Sequence, residues 1–436
     1  MSVLEKILNF GKRFSKSMLK MPLALTAAAC FSLIPVSKAD EEKFSFVVIG
    51  DSRDGYAIYE EMIPNILNTN LDFVIHTGDM VNIGKNPEEW VEFALASKPL
   101  LEHPINPPLA CFVYPTIGNH ELWDDFNLRN LKNYFELFNK PPINNLYYSF
   151  DYKNSHFISL FMPDEFTYPI DIEEGSEMHS WLENDFKVAN ENPQIKWKFA
   201  FFHAPIFSNT EMHGCTEKIQ KAVVPLLNQY KVDAVFNGHS HAYQRYGPLK
   251  FFKPDLDGIT YIISAGLGSF LYQFNRADAN SDLEGNPCDA WNGEHKPVNL
   301  TFGKVDYHYV KIDVGEKNIF GTAYYRNGEV MEEFVIRGQR QFRRGDVNGD
   351  GRLNIADAIC QLSYIFNPKE ELCNGLVSKC FDAADSNDDA GVNIADPITT
   401  LTYLFGSGKP LPKPFQNCGI EETTDNLTCD SYNFCR

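Results

Sequence analysis

Five short polar motifs punctuate the first part of the chain: Gly50-Asp51-Ser52-Arg53, Gly78-Asp79-Met80-Val81-Asn82, Gly118-Asn119-His120-Glu121, His203-Ala204-Pro205 and Gly238-His239-Ser240-His241. Each alone is a weak signal. Together they offer carboxylate, amide and imidazole donors, a mixed oxygen and nitrogen set that suits transition metals or zinc. A carboxylate has two oxygens and can bridge two cations about 3.5–4 Å apart, and water shared by such a pair loses a proton near neutral pH. The chemistry that these residue types suggest is therefore that of a two-metal site.

A second set of oxygen donors lies near the C-terminus and is repeated. Asp346-Val347-Asn348-Gly349-Asp350-Gly351-Arg352-Leu353-Asn354-Ile355-Ala356-Asp357 recurs as Asp385-Ser386-Asn387-Asp388-Asp389-Ala390-Gly391-Val392-Asn393-Ile394-Ala395-Asp396. Oxygen-bearing residues fall at loop positions one, three, five and twelve, the spacing that wraps a chain around Ca²⁺. The first loop offers Asp346, Asn348, Asp350, the Arg352 carbonyl and Asp357. Its copy offers Asp385, Asn387, Asp389, the Gly391 carbonyl and Asp396. Ala390 replaces the glycine of position six, so the second loop reads as the weaker calcium binder unless Gly391 beside it relieves the turn. Each loop leads into an apolar helical stretch, Ala358 to Phe366 and Pro397 to Phe405.

The order and content of the five motifs resemble the calcineurin-like metallophosphoesterase family, over roughly Phe44 to Arg337. The run His239-Ser240-His241-Ala242-Tyr243-Gln244-Arg245 is similar to its purple acid phosphatase branch. The resemblance implies a four-layer αββα sandwich and two transition-metal ions, Fe, Zn or Mn. It also implies a phosphate-ester substrate, monoesters favoured, attacked by a hydroxide that bridges the metals. By the same resemblance Asp79 is the bridging ligand, Asp51 and His241 hold the first metal, and Asn119, His203 and His239 complete the second. Neutral Asn and His keep the negative charge of such a site low enough for a phosphate to approach. His120 would face the phosphoryl oxygens and the leaving group, stabilising the transition state or donating a proton.

Two positions depart from the family pattern. Where a further ligand or a Tyr often stands, this chain has Arg53 and Asn82. Asn82 can offer its carbonyl oxygen to a metal, whereas Arg53 cannot ligate but can clamp phosphate bidentately. Without that Tyr, a ferric charge-transfer colour is not expected. His213 stands where the branch carries another active-site histidine, and two readings are open for it, proton donor or surface residue. His76 reads as a satisfied strand histidine, and Tyr243, Gln244 and Arg245 read as packing. His103, His156, His179, His295 and His308 match no motif and carry no assigned role.

The C-terminal repeat resembles a type I dockerin, a small all-α module with paired EF-hand-like calcium loops. That resemblance implies two calcium ions and a cohesin-like partner. A self-contained stabilising module, stapled by cysteines, is the other reading.

The elements that must hold these motifs read as α/β. Short β-branched or aromatic runs, such as Phe46 to Ile49, Phe73 to His76, Trp197 to Phe202, Val232 to Phe236 and Tyr261 to Ser264, each run into a Gly, Asp or His segment. Tyr307 to Val314, Ile319 to Tyr325 and Glu329 to Ile336 alternate like closing antiparallel strands, the last two joined by a tight turn at Asn327-Gly328. The expected organisation is a signal peptide over 1–39, a metallophosphoesterase domain over 44–337 and a linker over 338–344. Calcium repeats then span 345–408, and a Cys-rich tail spans 409–436. Residues Asn275 to Phe302, with Asp289, Trp291 and His295, read as an insertion that acts as a lid.

Length and composition fit more than one folded domain: 436 residues, 44% hydrophobic and 22% charged. A formal net charge of −19 argues against a nucleic-acid polymer or an anionic membrane surface as partner. The basic residues Lys12, Arg13, Lys16 and Lys20, the apolar run Met21 to Val36 and Ser37-Lys38-Ala39 read as a secretory signal cut after Ala39. The implied location is secreted, cell-surface or periplasmic, with no spanning segment in the mature chain. Six cysteines within the last 77 residues suit disulfides in an oxidising compartment. A phosphodiesterase or nucleotidase of the same superfamily is the near alternative in function. A non-catalytic, calcium-dependent surface-interaction protein is the distant one.

Overall fold

The computed structural model describes residues 43–436 apart from 107–108, 124–133, 135–136, 139–144, 165–170, 214–216, 256, 275–299, 339–340, 368–372, 374–376, 378–379, 407, 422–426, 428, 430–431, 433 and 436. The signal peptide and the lid up to residue 299 lie outside the described residues, as do Cys215 and Cys288. Among the described residues no helix is long and apolar enough to cross a membrane.

The aromatic and β-branched runs form strands in two sheets. One sheet has the order β14-β13-β12-β1-β2-β3, the other β11 (Leu300–Lys304)-β8-β10-β7-β6-β5-β4, with β9 (Lys253–Pro254) beside β8. In the first, β1 (Phe44–Ile49), β2 (Phe73–His76) and β3 (Val113–Pro115) run parallel. The late strand β12 (His308–Val314) pairs antiparallel with β1, Phe44 opposite Val314. In the second, β5 (Ser155–Ser159), β6 (Trp197–Phe201), β7 (Ala234–Asn237) and β10 (Ile259–Ser264) run parallel, and β4 (Tyr148–Tyr152) and β8 (Tyr243–Lys250) flank them antiparallel. The turn after β13 (Ile319–Tyr325) is closed by Gly328, whose φ of 85° suits glycine, and its amide donates to Tyr325 O at 2.9 Å before β14 (Val330–Arg337).

Phenylalanines fill the space between the sheets. Phe46 of β1 lies 5.3, 5.4 and 5.7 Å from Phe157, Phe199 and Phe236 of the other sheet, each edge to face. All four are fully buried. Burial of each such ring stabilises by about 1.5–3 kcal/mol, so this layer holds the strand ends in register. The helices α1 (Tyr56–Leu67), α2 (Pro87–Ala96), α3 (Glu177–Glu191) and α4 (Glu217–Gln229) follow β1, β2, β5 and β6 in the chain. α2 starts on Asn86, whose side chain accepts from Glu88 N, with Pro87 in the first turn. The result is a mixed α/β sandwich.

The chain divides into two compact units, one running to Glu316 and including Ala323–Met331, the other Lys317–Thr322 with Glu332–Arg436. The second contains α5 (Ile355–Phe366), a helical turn Phe381–Ala384 and α6 (Ala395–Phe405). α5 opens with a capping box between Asn354 and Asp357. Gln361 donates to Ala384 O at 2.6 Å and Ser386 Oγ at 2.7 Å and accepts from Thr400 Oγ1 at 3.2 Å, a buried polar link between the two helices. The segment read as a linker is, from Phe342 onward, part of this unit. Phe342 is fully buried and exchanges both backbone hydrogen bonds with Gly419, at 2.9 and 3.0 Å. Arg344 is buried too. Its guanidinium donates to Lys413 O, Asp382 O and Asp385 O and pairs with Glu421 and Asp388. The tail is likewise built in: Cys380–Cys429 ties it to the repeat and Cys418–Cys435 closes it on itself, while Cys360–Cys373 lies within the repeat. An Arg in this polar, basic stretch looks solvated in sequence because its partners lie 38 to 77 residues away.

Candidate functional site

Each motif leaves the C-terminal end of a strand: β1 runs into Asp51, β2 into Asp79, β3 into Asn119, β6 into His203 and β7 into His239 and His241. The chain bends sharply there. Asp51, Asp79 and His239 hold φ of 62°, 56° and 69°. The left-handed region costs roughly 1–2 kcal/mol at such residues and persists where the surroundings impose it. Glycines let the bends approach one another. A Cβ on Gly118 would lie 2.2 Å from Asp79 Oδ1, and one on Gly238 would lie 2.6 Å from Asp51 Oδ2.

The ligand-type side chains meet in two overlapping groups. Asp51, Asp79 and His241 are buried and place one ligand atom each within 4.8 Å of one another. Asn119 Oδ1 lies 2.9 Å from His203 Nε2 and 3.0 Å from His239 Nδ1, and those two nitrogens are 3.2 Å apart. His203 Nε2 is also 3.3 Å from Asp79 Oδ1, so Asp79 belongs to both groups.

Two of the histidines are aimed by carbonyls. His203 Nδ1 donates to Thr77 O at 2.8 Å and His241 Nδ1 to Phe270 O at 2.7 Å, which leaves the Nε2 lone pair of each turned inward. His241 Nε2 is buried without a hydrogen-bond partner and faces Asp51 Oδ1 at 3.3 Å. A lone pair opposite a buried carboxylate oxygen asks for a cation between them. The donor set fits such a group. Burial opposes a charge on His203, yet Asp79 outweighs burial and pushes its pKa up to about 10. Burial acts to raise Asp79, but His203, His120 and Arg53 hold it well below the usual carboxylate range. His239 is depressed by burial and by His203.

The remaining candidates sit around this cluster. His120 donates through Nδ1 to Asn82 O at 2.7 Å and turns Nε2 toward Asp79 Oδ2, 3.9 Å away. Arg53 Nε donates to the same Asp79 Oδ2 at 3.2 Å, while Nη1 donates to Asp54 Oδ2 at 3.2 Å and Asn82 Oδ1 at 3.4 Å. The Asn82 side-chain oxygen thus faces Arg53 and its backbone carbonyl holds His120. His213 is half-buried, not a surface residue: its ring is 3.9 Å from that of His239. Burial, with His241 and His203 nearby, pushes its pKa down to about 4. His76 is buried in β2, accepts from Gly78 N at 3.2 Å, and is depressed to about 4 by burial. Gln244 packs under the site, accepting from Asn209 N at 2.7 Å.

Two residues that sequence reasoning left without a role hold the site. Glu121 is fully buried and accepts from Gly118 N, Asp79 N, Met80 N and Val81 N, at 2.6, 2.9, 2.7 and 3.3 Å. One carboxylate thereby ties the Asp79 loop to the Asn119 loop. Tyr272 stacks on His241, ring centroids 4.2 Å apart and planes within 6°. Its only sequence signal is an aromatic pair after the Gly266-to-Ser269 bend.

The repeated loops of the second unit fold alike. Asp357 Oδ1 accepts from Val347 N at 2.8 Å and Asn348 N at 3.2 Å, and Oδ2 accepts from Asn354 N at 2.8 Å. Asp396 accepts from Asn387 N at 3.4 Å and Asn393 N at 2.7 Å in the copy. Asp346 Oδ2 takes Gly351 N at 3.0 Å, and Asp385 Oδ2 takes Ala390 N at 2.9 Å. Asp346 Oδ1 is buried without a hydrogen-bond partner. Burial pushes Asp357 up to about 6 and Asp396 to about 7. Gly391 does not relieve the second turn. Ala390 itself takes φ 69° where Gly351 takes 79°, because the Asp385 carboxylate holds its amide.

Residues 44–243 match the family model described as calcineurin-like phosphoesterase. Among curated relatives, the probable purple acid phosphatase 20 of Arabidopsis thaliana is 31% identical over 212 residues, 46% of each chain. Acid phosphatase type 7 of Mus musculus is 28% identical over 199 residues, 41% of each. This chain thus spans about half the length of the curated relatives it matches. Among solved structures, the purple acid phosphatase PPD1 from yellow lupin (Lupinus luteus) seeds superposes with a TM-score of 0.54 at 18% identity, covering 67% of this chain and 53% of that one, a likeness of fold.

Proposed function

We propose that the first unit is a metal-dependent phosphoric ester hydrolase, acting on phosphomonoesters through two transition-metal ions. The observation that carries this reading is the convergence of Asp51, Asp79, Asn119, His203, His239 and His241, with the unpartnered His241 Nε2 opposite Asp51. Asp51 and His241 would hold one cation, Asn119, His203 and His239 the other, and Asp79 both. When bound, the cations supply charge to the phosphoryl oxygens and lower the pKa of water. The chain's own residues do the rest. Thr77 O and Phe270 O fix the two rings, and Glu121 locks the loops. His120, steadied by Asn82 O, faces the leaving oxygen as proton donor, while Arg53 sits beside Asp79 where a phosphoryl oxygen would meet its guanidinium.

The three disulfides suit an exported protein, in keeping with the basic and apolar N-terminus. The second unit reads as a dockerin-like calcium module that engages a cohesin-like partner outside the cell. The buried, unpartnered Asp346 Oδ1 and the matching loops support calcium there. The test of the catalytic reading is phosphate release from a panel of monoesters and diesters, run beside elemental analysis of wild type and Asp79→Ala. The variant is expected to lose activity together with both metals. Full turnover by Asp79→Ala would overturn the assigned bridge.

A further inference from the structure

Two aromatic side chains beside the ligand cluster are turned to solvent, Trp123 at 51% and Phe270 at 57% exposure. A single exposed ring is ordinary on a protein surface, but these two stand against side chains of the site. The ring centroid of Trp123 is 4.4 Å from that of His120, whose Nε2 lies 3.9 Å from Asp79 Oδ2. The ring of Phe270 is 5.8 Å from the Arg53 guanidinium and 5.4 Å from the His241 ring. Arg53 Nε reaches the same Asp79 Oδ2, at 3.2 Å. One carboxylate oxygen is therefore met by two polar groups, and each of those is backed by an exposed aromatic face.

We propose that Trp123 and Phe270 form the specificity surface of this site and receive a flat, aromatic leaving group of a phosphate monoester. The inference rests on the phosphoesterase reading above. Hydrolysis breaks the ester P–O bond and joins phosphorus to the oxygen of water; one proton of water ends on the departing alcohol. The cluster, Arg53 and His120 are matched to the phosphoryl group, so the rest of the ester must lie beyond His120, where Trp123 offers a ring face. An aromatic alcohol stacks there and removes apolar surface from water on both sides. A small, strongly hydrated alcohol buries less apolar surface there and gains less.

The test uses the full-length, metal-loaded chain with benzyl phosphate and ethyl phosphate, whose alcohols have similar basicity, so that the ratio of their kcat/KM reports recognition and not leaving-group chemistry. Phenylphosphonate and methylphosphonate serve as non-hydrolysable partners in calorimetry. Wild type is expected to prefer the aromatic member of each pair by about tenfold or more, and Trp123→Ala and Phe270→Ala to shrink both ratios severalfold, with Trp123→Phe restoring most of the preference. Metal content of each variant reports that the fold is kept. Ratios equal in wild type and variants, with phosphate still released, would overturn the specificity surface alone. No phosphate released from either ester would overturn the phosphoesterase reading beneath it.

Discussion

At the scale of single residues, neighbouring side chains in one motif carry different duties. His120 follows Asn119 but gives its Nδ1 to a carbonyl and holds Nε2 near Asp79, so His120→Ala is expected to keep the metals and slow turnover about a hundredfold. Metal analysis beside single-turnover kinetics checks this, and loss of metal would make His120 a ligand. Glu121→Gln changes one oxygen into a donor facing amides that themselves donate. It is expected to lower stability by about 2–4 kcal/mol and to weaken metal retention, read by thermal midpoint and elemental analysis. The side chains that the structure gathers at the strand ends were legible because their types are written in motifs. Glu121 was not, although it ends one of those motifs, because its role depends on the directions of four backbone amides. Asn82 shows the same limit, since which of its atoms is engaged is decided by Arg53 and His120, 29 and 38 residues away, whereas the φ of Ala390 is held by Asp385 within its own loop.

At the scale of elements, strand ends were readable, since brief apolar runs that stop at Gly, Asp or His have no way to continue as strands there. The partner of β1 was not. β12 joins it from some 270 residues away, and nothing local in Phe44 to Ile49 names Val314 as the opposite residue. Long pairings also make demands away from the site. His156 of β5 is held by Asp151 of β4 at 2.6 Å and Asp185 of α3 at 2.9 Å. Burial opposes its charge, but the two aspartates outweigh burial and push its pKa up to about 9. A pKa raised on folding stabilises fully below the ordinary value near 6.5, and that contribution fades as pH rises through 9. Denaturant melts of wild type are expected to lose about 3 kcal/mol between pH 6 and 10 from this group, and His156→Asn to lose that slope. An unchanged slope in the variant would remove the clasp from the account.

At the scale of the whole molecule, the repeat was legible as a unit while its borders were not, because Phe342, Arg344 and the tail look polar or irregular in sequence and become core only when brought together. If the loops take calcium, saturation at a hundredfold the dissociation constant adds about 2.7 kcal/mol per loop, to the second unit alone. Hydrogen exchange with and without a calcium chelator is expected to show loosening over residues 345–408 while phosphate release continues; turnover that tracks calcium would contradict separate modules. The Phe342 and Gly419 pairing has a mechanical side. A pull applied at those two points loads two hydrogen bonds first. Once they part, tension runs through Cys360–Cys373, Cys380–Cys429 and Cys418–Cys435 and passes by residues 381–417 altogether. The oxidised unit can then stretch to only about 125 Å, against about 260 Å when reduced, at roughly 3.4 Å per residue. The second loop and α6 lie in the slack segment, shielded from force for as long as the bridges stay closed.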